Sequence, residues 1–122
     1  MLYSIDSCKY ITKVPHSKEF NLWVSRLSTV EYDAIIDELN NRIDGNDVNT
    51  SSWIPGNDWT GTVYEPIYTK ACNNNIDLSG QCFGLILFKV MIDRKDVWGF
   101  GRYKNNGMDI KGITYFKLNN IP

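Results

Sequence analysis

From residue 17 the apolar positions fall at Phe20, Trp23, Val24 and Leu27, the i, i+3, i+4, i+7 spacing of a helix with one buried stripe. Either His16 or Ser17 stands where its N-cap belongs. A second helix is marked at both ends. Ser28-Thr29-Val30-Glu31 is a capping box, Tyr32, Ile35, Ile36, Leu39 and Ile43 form an apolar face, and Gly45 stops it. A third, short helix is expected through Cys72, with Val63, Tyr64, Ile67, Tyr68, Ala71 and Cys72 at helical spacing. It begins near Glu65 or Pro66, because proline is tolerated only in a first turn, and Asn73-Asn74-Asn75 ends it. Before the helices, residues 2–14 alternate in part and predict a strand that Pro15 closes.

The longest apolar run, residues 83–92, is followed by Asp93-Arg94-Lys95-Asp96 and then by a second run, residues 97–103. Apolar, aromatic runs flanking a charged tetrad predict two antiparallel strands at the centre of a sheet. The period of two puts Trp98, Phe100 and Arg102 on one face of the second strand. Asn105-Asn106-Gly107 predicts another hairpin turn, with residues 110–118 as the returning strand and Gly112 as a bulge. The expected fold is therefore α+β. Two N-terminal helices and a short third pack on an antiparallel sheet built from a C-terminal meander, in one ligand-binding domain over residues 1–122.

Composition narrows the classes of function. The chain carries 13 Lys and Arg against 14 Asp and Glu, scattered and with a net charge of −1, so no basic footprint for nucleic acid is present. The 3 cysteines are odd in number and lack CxxC spacing, which points to reduced thiols and a cytoplasmic location. No long uncharged apolar segment predicts a membrane span, and Asp6 and Lys9 interrupt any signal-like start. With 1 histidine, His16, multi-histidine metal sites are excluded, and a capping or surface role is the ordinary one for a residue at that position.

Acid chemistry would have to use Glu65 with Asp93 or Asp96, yet a first-turn acid and a solvated loop explain the same residues. Thr60-Gly61-Thr62 before a helix could form a small anion nest, or a plain tight turn. The 4 tryptophans, 7 tyrosines and 5 phenylalanines exceed the usual need of a small core. Trp23 and Phe83 belong in that core, while Trp53, Trp59, Tyr64, Tyr68, Trp98, Phe100 and Tyr103 are available to a ligand pocket or a subunit interface.

The loop Trp53-Ile54-Pro55-Gly56-Asn57-Asp58-Trp59-Thr60-Gly61, the helix start Tyr64-Glu65-Pro66-Ile67-Tyr68 and the aromatic stretch from Phe83 to Tyr103 resemble the first described family of phage Thoeris anti-defence proteins. The resemblance implies a cytoplasmic sponge in the infected host cell. Such a protein binds a cyclic ADP-ribose isomer made by a TIR-domain enzyme, without cleaving it, in a homo-oligomer and with no cofactor or metal. Physical reading of the residues then assigns Trp98, Phe100 and Tyr103 to stack on adenine, and Arg94 and Arg102 to neutralise pyrophosphate. Asn57, Asp58 and Thr60 would bond ribose hydroxyls, and Trp59 would close the pocket. The alternative is a protein–protein inhibitor or interaction module that uses exposed tryptophans as its patch.

Overall fold

The computed structural model describes residues 1–51, 58–102, 104–105, 108–109 and 112–119. It has α+β architecture. Leu2–Ser4 (β1) and Lys9–Ile11 (β2) form a hairpin, so the expected N-terminal strand is two short ones, with Tyr3 against Tyr10 at a ring separation of 5.1 Å. Ser17–Ser25 (α1) follows, entered through His16 in the left-handed region at φ 51°. His16 shapes the entry with its backbone and makes no side-chain cap bond. Thr29–Asp44 (α2) carries both arms of the predicted capping box. Glu31 N donates to Ser28 Oγ at 3.1 Å, and Ser28 N donates to Glu31 Oε1 at 2.9 Å.

Val48–Thr50 (β3) is a strand that the polar sequence did not announce. The predicted short helix is present in a wider form, a π-helical turn over Ile67–Ala71 preceded by Pro66. It is closed by Asn73 and Asn74, both at positive φ.

The largest correction concerns residues 83–92, which are not a strand. They belong to Ile76–Asp93 (α3), a helix roughly 27 Å long at 1.5 Å per residue. Asn75 caps it by accepting from Leu78 N at 3.0 Å. Its buried positions Ser79, Cys82, Phe83, Ile86, Leu87, Val90 and Met91 follow the i, i+3, i+4 rule throughout. Phe88 is buried as well and lies edge-on to Phe100 of the sheet at 5.6 Å. α3 is therefore apolar on several sides because it lies between the other helices and the sheet, which is what made its sequence look like a buried strand.

Trp98–Gly101 (β4), Lys104–Asn105 (β5), Met108–Asp109 (β6) and Thr114–Lys117 (β7) complete the chain. β5 and β6 pair antiparallel, the Asn-Gly turn expected between them lying outside the described residues, and β4 pairs antiparallel with β7, as the second hairpin required. The main sheet is nevertheless mixed, in the order β2-β1-β4-β7-β3, because β1 runs parallel to β4. The charged tetrad is thus the connection from α3 into β4.

Leu2, Trp98 and Tyr115 point from the sheet into the core beneath the helices, where they meet Trp23, Ile35, Leu39, Phe83 and Leu87. On the opposite face the ring of Phe116 lies across its register partner Gly99. A methyl group at Gly99 would come within 2.4 Å of that ring, so the glycine is required by close approach.

Candidate functional site

The candidate residues divide into three places. The first is the start of β4 and the turn before it. Trp98 is 1% exposed and sealed in the core, so it cannot offer a face to adenine in this structure, contrary to the expectation. Its neighbour Arg94 is committed to the protein itself. Nε and one terminal nitrogen fork onto the Asp96 carboxylate, both at 2.9 Å, and the same nitrogen reaches Asp44 at 2.5 Å. The other terminal nitrogen donates to Asn40 Oδ1 at 2.8 Å, while the guanidinium carbon sits 6.0 Å from the Trp98 ring centroid. The Arg94 side chain is only 12% exposed. Its hydrogen bonds hold the Asp96 carboxyl below the ordinary carboxylate value. Arg94 thereby clamps α2 to the entrance of β4, and the guanidinium expected for pyrophosphate is already neutralised.

Phe100 and Arg102 form the second place. Phe100 is half-buried between Phe88 and Tyr115, whose ring centroid is 6.5 Å away, and Arg102 is exposed just beyond β4. Tyr103, assigned with them, lies outside the described residues.

The third place is the loop before the π-helical turn. Asn57 and the Trp53 part of the loop lie outside the described residues. Trp59 is half-buried and packs between Tyr64 at 6.3 Å and Phe83 at 5.9 Å, so it covers the core near the middle of α3. Asp58 accepts from Thr60 N at 3.0 Å, and this bond lowers its carboxyl pKa. Glu65 Oε2 accepts from Gly61 N at 2.5 Å, and Thr62 N donates to Trp59 O at 3.0 Å. The three N–H groups of a Thr60-Gly61-Thr62 nest therefore already have acceptors, two of them carboxylates. The plain-turn reading of that stretch is the right one.

These places do not converge within one protomer. Trp59 meets α3 at Phe83 and Phe100 meets it at Phe88, five residues on, which at 100° per residue turns the two contacts about 140° apart. Arg94 lies at the helix end, about 16 Å along the axis from Phe83.

The structure draws attention instead to a groove of about 700 Å³ between α2 and the C-terminal end of α3. Half-buried Ile36 and buried Val90 are among its lining residues, with Asp33, Asp44, Asp93, Asp96, Arg94 and Lys95. Four carboxylates face Arg94 and Lys95 together with Lys89, which pairs with Asp93, and the Met1 ammonium, which donates to Asp96 O, so the charges around it balance. The sequence held the two halves of this groove fifty residues apart, and only the α2 face Tyr32-Ile36 next to Asp33 hinted at it.

Among the described residues no group of three or more His, Cys, Asp and Glu could hold a metal ion, and no helix is long and apolar enough to cross a membrane. Comparison with protein-family models, with curated proteins and with solved structures finds no match for this chain, so the likeness to the Thoeris anti-defence family rests on its sequence pattern alone.

Proposed function

We propose that this protein is a binding module that acts by occupancy, holding its target without transforming it. What carries the reading is that the acids singled out for chemistry have structural employment. Glu65 closes the turn at Gly61, Asp96 holds Arg94, and Asp93 pairs with Lys89 at 3.0 Å. A general acid needs a proton to give to a substrate, and a carboxylate engaged in this way is poorly placed to supply it.

The target implied by the resemblance is a cyclic ADP-ribose isomer made by a TIR-domain enzyme. Its sequestration in the host cytoplasm would leave the Thoeris effector unactivated. In this form of the proposal Phe100 and Arg102 supply the ring and the cation, and Asp58 and Thr60 supply polar contacts from another protomer of a homo-oligomer. Trp98 and Arg94 support the pocket from within.

A second target, a protein partner, is favoured by the open groove between α2 and α3, which is lined by both apolar and charged side chains. Thermal unfolding with and without cyclic ADP-ribose isomers separates the two. A ligand held only by the native state adds about 2.7 kcal/mol at a hundredfold excess over Kd, a rise of several degrees for a chain of this size. An unchanged midpoint at saturation rules out the nucleotide and leaves the protein partner.

A further inference from the structure

We infer that Cys72 and Cys82 are a dithiol that a low-molecular-weight disulfide oxidises to an intramolecular bridge, tying the π-helical turn to α3. The inference is independent of which target the protein holds. One cysteine ends the π-helical turn and the other stands in the second turn of α3. Both belong to the hydrophobic core, Cys72 at 2% and Cys82 at 0% exposure, and their thiols face each other within hydrogen-bonding reach. Ser79 Oγ, one helical turn before Cys82, also reaches the Cys72 thiol. Two sulfurs held side by side by separate elements are the arrangement from which a bridge forms. Among the described residues no third His, Cys, Asp or Glu joins them, so the pair is not part of a four-ligand zinc site.

The surroundings give the oxidant its route. Cys72 is followed by Asn73, Asn74 and Asn75, all exposed, with Asn73 and Asn74 in the left-handed region, and Thr69 and Lys70 before it are exposed as well. Cys72 therefore lies directly beneath a surface segment, whereas Cys82 is sealed under α3. Burial raises the pKa of both thiols, and the neighbouring Cys72 raises that of Cys82 further, so the closed pair is protonated and unreactive. Oxidation follows local opening of the turn. The Cys72 thiol gives its proton to water, and the thiolate attacks one sulfur of the small disulfide and expels the other as a thiolate. Cys82 then loses its proton and attacks Cys72 Sγ, expelling the second small thiolate. Two protein thiols and one small disulfide become one protein disulfide and two small thiols. The bridge lies next to Phe83, on which Trp59 rests, so oxidation stiffens the floor beneath that ring.

The test uses the full chain carrying Cys8→Ser, equilibrated in buffers of stepped glutathione disulfide to glutathione ratio, then quenched with acid. The expected product has an intact mass lower by two hydrogens and a cross-linked Cys72–Cys82 peptide after proteolysis. Its thermal midpoint should rise by several degrees and fall back on reduction, and amide exchange over residues 67–76 should slow several-fold. Adding Cys72→Ser, with folding checked by its reduced midpoint, should abolish both the mass loss and the rise. Glutathione retained as a mixed disulfide without a cross-link overturns the proposal, as does a bridge that forms only in denaturant or only between chains. A cross-link with an unchanged or lower midpoint, or a rise that persists in the Cys72→Ser chain, overturns the tie between the turn and α3.

Discussion

Replacing Arg94 by methionine removes the guanidinium but keeps an apolar stem over Trp98. The Asp96 fork and the bond to Asn40 are both partly buried, and hydrogen bonds to charged groups of that kind contribute about 1.5–3 kcal/mol. The pair with Asp44 is exposed on the carboxylate side and adds about 0–1 kcal/mol. The cation–π contact with Trp98 adds about 0.5–1 kcal/mol, which the methionine stem offsets. Together they predict a loss of about 3 kcal/mol at pH 7, or roughly 2 M in the urea midpoint for a slope near 1.5 kcal/mol per M.

The same loss must depend on pH. Asp96 has its folded pKa depressed below the ordinary 3.8, first by hydrogen bonds from Arg94. A depressed carboxyl stabilises the fold above its unfolded value, and that contribution disappears as pH falls through the still lower folded value. The gap between wild type and Arg94→Met should therefore be smaller at an acid pH below the folded value of Asp96 than at pH 7, because the clamp there has lost its charge partner. Urea unfolding at the two pH values checks this. A loss under 0.5 kcal/mol at pH 7, or an equal loss at both, would falsify the reading of Arg94 as the clamp between α2 and β4.

Two other outcomes follow from close packing and burial. Gly99→Ala drives a methyl group into the Phe116 ring and should cost about 1–3 kcal/mol, with Phe116→Ala in the same chain removing the clash; an additive double variant contradicts the contact. Burial raises the thiol pKa of Cys72 and Cys82, whereas Cys8 is exposed, so a thiol reagent at pH 8 should titrate one cysteine quickly in the native protein and all three in denaturant. Rapid native labelling of Cys82 would mean that α3 opens far more readily than its packing implies.

The helices that were legible in the sequence are those whose signals are local. The capping box at Ser28 and the stripe Ile35, Leu39, Ile43 lie within one element and needed no partner to be recognised. α3 was misread for a physical reason. Residues 83–92 are nearly all apolar, because that part of the helix is covered by α1, α2 and the π-helical turn, with Phe88 against Phe100 of the sheet, and a helix apolar on most sides loses the contrast that distinguishes it from a buried strand. Its length, and the continuation of the buried stripe back to Cys82 and Ser79, were the available signals. The parallel pairing of β1 with β4 and the edge strand β3 depend on partners far along the chain, so no local pattern announces them.

The candidate site suffered in the same way. Asp93-Arg94-Lys95-Asp96 looks like a solvated turn in isolation, and only Asn40 and Asp44 from α2 convert Arg94 into a structural clamp. Period-two reasoning did identify the shared face of Trp98 and Phe100 correctly. It could not tell that this face is the one turned toward the helices.

The account stands most directly on the claim that the protein works by occupancy. Incubation of the protein with an equimolar cyclic ADP-ribose isomer for several hours, followed by heat denaturation and mass analysis of the supernatant, reads that claim out. Full recovery of the intact cyclic molecule at every time point is the predicted result. A linear or cleaved product that accumulates with time and with protein concentration would contradict it.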